Sequence, residues 1–274
     1  MKRVSLLLAL VFPFLSSAMA EEGIIKKGIG LGGDPELVQK QVKALQVGWH
    51  YNWMAAWKGR KIKDVEYVPM IFKDNEWTAR ALDSVKVSRS KMESSPLLGY
   101  NEPDAKAQGS MSVEAALELW PALEKTNRRL GSPATVHPDN AWMQAFMEGV
   151  EKEDLRVDFI CVHWYGERDA DKFIKRIEEV HELYNKPIWI TEFAIADWSA
   201  KSLKDNKHSP RDVLKFMKDV LPELEKLDFV ERYAWFSGKP GEARLGHSAL
   251  FDKDGELTEL GEFYANFNPD GEER

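Results

Sequence analysis

Two glutamates in this sequence each close a short apolar run. Leu97-Leu98-Gly99-Tyr100-Asn101-Glu102 stops at Pro103, and Ile188-Trp189-Ile190-Thr191-Glu192 leads into Phe193. Proline cannot continue a hydrogen-bonded ladder, so this pattern puts each carboxylate at the C-terminal end of a β-strand. Two carboxylates on one rim can cleave a glycosidic bond: one protonates the leaving oxygen, the other attacks the anomeric carbon or activates water there. Either glutamate alone could instead serve a structural salt bridge. Both at matched positions argue for chemistry, because a strand-end glutamate is costly to desolvate without a purpose. Asn101 can hydrogen-bond a substrate hydroxyl next to the reacting carbon or, alternatively, tie down a loop. Neighbours in a regular strand face opposite sides, so Asn101 and Glu102 share the site only if the strand bulges there.

Aromatic residues collect at the ends of other apolar runs: Trp49, His50, Tyr51 and Trp53; His163, Trp164 and Tyr165; Trp235 and Phe236. Sugar rings present apolar CH faces that stack on indole, although any of the 10 tryptophans can equally serve as core. Rival chemistries have weaker signals. Gly28-Ile29-Gly30-Leu31-Gly32-Gly33 fits a dinucleotide-binding turn, yet Tyr51-Asn52-Trp53 stands where a ribose-binding acid is expected. His50, His137, His163, His181, His208 and His247 show no ligand-pair spacing, and only a barrel rim gathering His50, His137 and His163 would hold a metal. No Gly-x-Ser-x-Gly elbow occurs. Cys161 is the only cysteine, so an intrachain disulfide is impossible, and its apolar flanks mark it as a buried core residue. No metal or cofactor is expected.

The elements that must position these residues follow from periodicity. Eight β-type runs, near 27–31, 47–53, 67–72, 97–102, 130–134, 157–165, 187–192 and 232–236, alternate with helical stripes. Val113, Ala116, Leu117, Trp120 and Leu123 form one stripe; Phe173, Ile177, Val180 and Tyr184 another; Val213, Met217, Val220 and Leu224 a third. Asp34-Pro35 and Ser209-Pro210 supply a capping residue followed by proline at helix starts. An open doubly wound sheet shares this alternation. Eight strands in a chain near the ~250 residues usual for the fold favour closure, giving an α/β protein with a single (β/α)8 TIM barrel. Counted in order, Glu102 ends the fourth strand and Glu192 the seventh, which face one another across such a barrel.

The chain opens with Met1-Lys2-Arg3, an apolar run from Val4 to Leu15, and Ala18-Met19-Ala20 before two glutamates. This reads as a secretory signal over 1–20, cleaved near Ala20, and is too short for the roughly 20 apolar residues of a membrane span. An uncleaved anchor is the alternative. Residues 21–267 form the expected catalytic domain, and 268–274 an acidic tail. A net charge of −7 with both signs interspersed argues against nucleic acid or anionic lipid as partner. The expectation is a secreted monomer without stable membrane insertion, acting on a polysaccharide or oligosaccharide.

Four segments resemble a known family, the glycosyl hydrolase catalytic core that includes glycoside hydrolase family 128, endo-β-1,3-glucanases related to the clan A barrels. They are Leu98-Gly99-Tyr100-Asn101-Glu102-Pro103-Asp104, Asp158 through Gly166, Trp189-Ile190-Thr191-Glu192-Phe193, and Tyr233-Ala234-Trp235-Phe236. The segments run in family order through most of the mature chain. Leu250-Phe251-Asp252 and the stretch 255–261 resemble the family's closing turn and last helix. The resemblance implies a retaining mechanism with Glu102 as acid/base and Glu192 as nucleophile. It also implies that Trp49, Trp53, His163, Tyr165 and Trp235 lie along a β-1,3-glucan groove. Two alternatives stand beside it: a retaining β-glycosidase of other linkage or sugar on the same barrel, and a glucan-binding barrel that has lost catalysis.

Overall fold

The computed structural model describes residues 25–86 and 96–269; the expected signal peptide, 1–20, and most of the acidic tail lie outside these residues. The elements run β1 (Lys27–Gly30), α1 (Pro35–Ala44), β2 (Trp49–Tyr51), β3 (Glu66–Tyr67), α2 (Thr78–Val85), β4 (Pro96–Leu97), α3 (Val113–Glu124) and β5 (Arg129–Leu130). They continue with α4 (Ala141–Lys152), β6 (Ile160–Gly166), α5 (Ala170–Tyr184), β7 (Ile188–Ile195), α6 (Pro210–Lys226), β8 (Val230–Trp235) and α7 (Glu259–Asn266). The capping signals act as read. Asp34 accepts from the backbone N–H groups of Glu36 and Leu37, and Ser209 with Asp212 closes a capping box on α6.

All strand pairings in the sheets are parallel, in the order β3-β2-β1-β8-β7-β6 and, separately, β4-β5. Parallel bridges Met70–Leu98 and Gly131–Phe159 join the two groups at both junctions. Each strand therefore meets its neighbours around a closed ring, and the fold is a (β/α)8-type barrel. One crossover departs from the repeat: residues 52–65, between β2 and β3, form an irregular loop instead of a helix. That stretch has no helical apolar stripe; Trp57 covers His50 and Tyr67, and Ile62 is buried.

Two apolar layers result. Ile29, Val162, Ile190, Phe193, Tyr233 and Trp235 belong to the layer between strands and helices, whereas Trp49, Tyr51, Met70, Phe159, Trp189 and Ala234 fill the barrel. The Gly-x-Gly of β1 belongs to this packing, not to a nucleotide turn. A Cβ on Gly28 would fall inside the Trp49 indole, and one on Gly30 would lie 2.8 Å from the Tyr51 ring. Below them, Lys26 Nζ caps the end of α6 at the carbonyls of Glu225 (3.0 Å) and Leu227 (3.1 Å). Buried Lys27 does the same for α7 through Tyr264 (2.7 Å), Ala265 (3.0 Å) and Phe267 (2.9 Å). Consecutive lysines thus use β1 to hold the carbonyl ends of the last two helices, where a cation is favoured. Cys161 is buried in the barrel, and burial pushes its thiol up, away from reactivity.

Gly28→Ala is expected to destabilise the fold by about 1–3 kcal/mol through overpacking against Trp49. Adding Trp49→Phe should recover part of that loss, so denaturant unfolding of the two single variants and the double variant measures the coupling.

Candidate active site

Backbone irregularities aim the two glutamates. In β7, Val162 pairs with Ile190 but His163 pairs with Glu192, so Thr191 is an extra residue, and the register against β8 shifts over the same stretch. Strict alternation from the inward Trp189 would turn Glu192 outward and Phe193 inward. The bulge reverses this: Phe193 joins the outer layer and Glu192 enters the cleft. Alternation also breaks beyond β4. Leu98 faces the barrel, while Tyr100, two residues on, packs outward on Trp120. Gly99 sits at the break, where a Cβ would lie 2.8 Å from the carbonyls of Gly131 and Ser132. Glu102 then adopts a left-handed backbone, φ 39°, with its N–H donated to the Ala134 carbonyl at 2.7 Å. Asn101 and Glu102 consequently line the same cleft, the arrangement that a break in alternation was needed to produce. A non-glycine residue in this conformation costs on the order of 1–3 kcal/mol and persists only where its surroundings fix it.

The cleft is about 1110 Å³ and opens at the C-terminal rim. Glu192 lines it with both oxygens engaged. Trp53 Nε1 (2.8 Å) donates to Oε1, Tyr165 Oη donates to Oε2, and the single Tyr51 hydroxyl proton is shared between the Thr191 carbonyl (2.9 Å) and Glu192 Oε1 (3.3 Å). Burial, then the charge of Glu192, raises the pKa of both Tyr51 and Tyr165, so each stays a protonated donor. His163 stands between the acids: Nδ1 is 3.1 Å from Glu102 Oε1, and Nε2 is 3.5 Å from Glu192 Oε1 without hydrogen-bond geometry. Burial pushes this histidine down, but the charges of Glu192 and Glu102 and the bond to Glu102 outweigh it, leaving its pKa above the ordinary value. The side-chain oxygen of Asn101 is buried beside the pair and has no hydrogen-bond partner among the described residues.

Of the residues expected to line a sugar groove, Asn101, Trp53, His163 and Tyr165 do face the cleft. Trp49 and Trp235 do not. Trp49 is interior packing, tilted against Trp189, with its indole N–H on the Lys26 carbonyl. Trp235 points outward, packs on Phe193, and donates to the Ser248 carbonyl. Trp53 also differs from a plain stacking wall, because its indole N–H is committed to Glu192 and its backbone is left-handed, φ 60°. Sequence reasoning passed over Trp198 as a site residue, although it lies between Asp197 and Ser199 just past the Glu192 strand. It likewise named Phe236 only as one of a cluster; both line the cleft.

His50, His137 and His163 do not converge, since the His50 side chain, on β2, packs against Trp57 and Tyr67 and not in the cleft, its pKa held down to about 4 by burial. A different trio, Glu102, His163 and Glu192, offers donor atoms within 4.8 Å of one another. Indole and phenol donors already occupy the Glu192 oxygens, and His163 Nδ1 is already engaged with Glu102. The nearest oxygens of the two carboxylates thus lie within 4.8 Å of one another, closer than the about 6.5 to 9.5 Å by which an inverting glycosidase separates its acids to admit a water.

A barrel with paired glutamates on its fourth and seventh strands, set in an aromatic cleft, defines a glycoside hydrolase. The family described as glycosyl hydrolase catalytic core matches residues 28–264, and the chain belongs to it. Alkali-sensitive linkage protein 1 of Schizosaccharomyces pombe is 31% identical over 247 residues, which are 86% of this chain and 42% of that protein. The chain thus spans less than half the length of this relative. A subgroup I endo-β-1,3-glucanase of glycoside hydrolase family 128 from Amycolatopsis mediterranei, solved as a glutamate-to-alanine variant with laminaripentaose, is 31% identical with TM-score 0.76. The match covers 88% of this chain and 98% of that one. A subgroup II endo-β-1,3-glucanase from Sorangium cellulosum is 27% identical with TM-score 0.70, covering 88% and 97%. Among the described residues, no helix is long and apolar enough to cross a membrane.

The raised pKa of His163 gives a stability signature. Its folded value lies above the unfolded one, so its contribution is full below the ordinary value of 6.5 and is lost as pH rises through the folded value. The difference in melting temperature between wild type and His163→Gln should therefore be largest, in favour of wild type, at pH below 6.5 and shrink on going alkaline. A difference that grows with pH would contradict the bridging charge.

Proposed function

We propose that this glycoside hydrolase cleaves β-1,3-glucan internally by double displacement, with Glu192 as nucleophile and Glu102 as acid/base. The observation that carries the reading is the Glu102–His163–Glu192 array, whose donor atoms lie within 4.8 Å of one another at the floor of an open cleft. Glu192 has the surroundings of a nucleophile: the hydrogen bonds of Trp53 and Tyr165 fix both its oxygens, so it attacks without reorganising. Glu102 protonates the leaving oxygen, then takes the proton of the water that frees the glycosyl-enzyme. His163, bonded to Glu102, holds that carboxyl in place through both steps. The unpartnered Asn101 oxygen is positioned to accept from the hydroxyl beside the reacting carbon, a contact that strengthens in the transition state.

Support for the linkage comes from the Amycolatopsis relative, which binds laminaripentaose at comparable length. A cleft of about 1110 Å³ exceeds the roughly 300–1,000 Å³ of small-ligand pockets and suits several sugar units. The reading includes export by the N-terminal segment 1–20 and action as a monomer on a polysaccharide outside the cytoplasm.

Product anomers followed by NMR on β-1,3-glucan oligosaccharides test the mechanism. Wild type should release the β-anomer first. Glu192→Ala should be nearly inactive and, with azide, form an α-glycosyl azide. Glu102→Ala should lose about 10²- to 10⁴-fold in turnover, the usual worth of general acid–base catalysis, and form a β-glycosyl azide. Initial α-anomer from wild type would overturn the double displacement. Binding without turnover on any glycan would select the non-catalytic barrel.

A further inference from the structure

The exposed large apolar side chains among the described residues include Leu37, Met54, Trp77, Val136, Leu183 and Trp198. Of these six, only Val136 and Trp198 line the cleft. Trp198 is 54% exposed, so its indole contributes little to the core. Its backbone is nevertheless held firmly. The buried carboxylate of Asp197 accepts from Ser199 N (3.0 Å), Ser199 Oγ (2.6 Å) and Lys207 N (2.9 Å), fixing the chain just after Trp198 and the return of the loop. Asp197 N donates to the Arg244 carbonyl at 3.0 Å, and Asn206 Nδ2 donates to the carbonyls of Ala243 (2.9 Å) and Arg244 (3.1 Å). The Ser199 hydroxyl and the backbone N–H of Lys207 hold Asp197 down at about 2, so the brace persists wherever a glycosidase works. The indole stands edge-on to Tyr165, ring centroids 5.7 Å apart, with the Arg244 guanidinium 6.0 Å from its centre.

We propose that Trp198 is a stacking platform for a sugar unit flanking the scissile bond, and that it sets how strongly the enzyme prefers long chains over short ones. The proposal rests on the reading of the site as a glucan hydrolase. Tyr165 links the platform to the chemistry, since it meets the indole with its ring and Glu192 with its hydroxyl. A unit lying on Trp198 is therefore one ring removed from the reacting sugar. A neutral pyranose suits the surface: the indole offers an apolar face for its CH groups, and the braced loop gives that face without an ordering cost on binding. Trp198 touches no reacting atom, so it is a specificity-determining residue and not a catalytic one.

The test compares wild type, Trp198→Ala and Trp198→Phe on β-1,3-gluco-oligosaccharides from the trisaccharide to the hexasaccharide, measuring kcat/KM for each length. Trp198→Ala should lose about threefold to tenfold on the hexasaccharide, the worth of one aromatic contact, and distinctly less on the shortest chain cleaved. The loss should lie in KM, Trp198→Phe should restore most of it, and the melting temperatures should agree. Equal loss at every length, or no loss at any, overturns the proposal. Should wild type cleave a different β-glucan and none of these, the linkage reading fails, and the same length series in the accepted glucan decides the role of Trp198. Should it cleave nothing, titration of the hexasaccharide into wild type and Trp198→Ala decides it by affinity, and equal affinity or no binding overturns it.

Discussion

Two carboxylates with oxygens less than 5 Å apart repel one another, and everything else in this active site is arranged around that repulsion. At an effective dielectric of about 20, unit charges at this separation cost on the order of 3–4 kcal/mol. His163 lies between them, bonded to Glu102 and within ion-pair distance of Glu192, and its raised pKa is the same interaction seen from the imidazole. A proton on His163 turns two like charges into an alternating row of three. The neutral donors Tyr51, Trp53 and Tyr165 add no charge but fix the Glu192 carboxylate by direction. The acid of the proposed reaction is the state in which Glu102, rather than His163, holds that proton, the two groups lying 3.1 Å apart.

Holding that row requires the strands to break their own regularity. The Thr191 bulge turns Glu192 in, the break at Gly99 admits Asn101, and the left-handed Glu102 adds the acid to the same face. Such strain needs a rigid frame. The interior beneath the site supplies it, with Trp49 and Tyr51 stacked 5.9 Å apart and seated over glycines of β1. That plug makes the site a cleft with a floor, and Tyr51 belongs to both, since its ring packs the barrel while its hydroxyl reaches Glu192.

That the two glutamates meet in one cleft was legible because it rests on local signals: an apolar run, a glutamate following it, and proline or an aromatic residue after that. Helix starts at Asp34-Pro35 and Ser209-Pro210 were legible for the same reason. The aromatics were not, because one side-chain type serves the core, the outer layer and the cleft, and the choice depends on which way a strand residue faces. Trp49 and Tyr51 share a face, yet only Tyr51 is high enough along the strand to touch the site. Trp235 and Phe236 are neighbours on opposite faces, so the tryptophan was lost to the outer layer and the phenylalanine stayed in the cleft. Parity read forward from one known residue would have separated the second pair in a regular strand. It would have failed at Glu192, where a bulge that no residue type announces reverses it.

The rims of the cleft are built differently from its floor. The two exposed apolar residues of the rim are each set by an aspartate: Asp104 accepts from the Val136 backbone N–H at 3.2 Å and from the Asn140 side-chain amide at 2.7 Å, and Asp197 accepts from backbone N–H groups around Trp198. These carboxylates act on loops, through hydrogen bonds that substitution of the rim side chain leaves intact. The floor has no such freedom, because Glu192, Tyr51, Trp53, Tyr165 and His163 are mutually bonded or in contact, and altering one releases another. A barrel arranged this way can change which glycan it grips by exchanging side chains at the rim while the reaction at its centre stays the same.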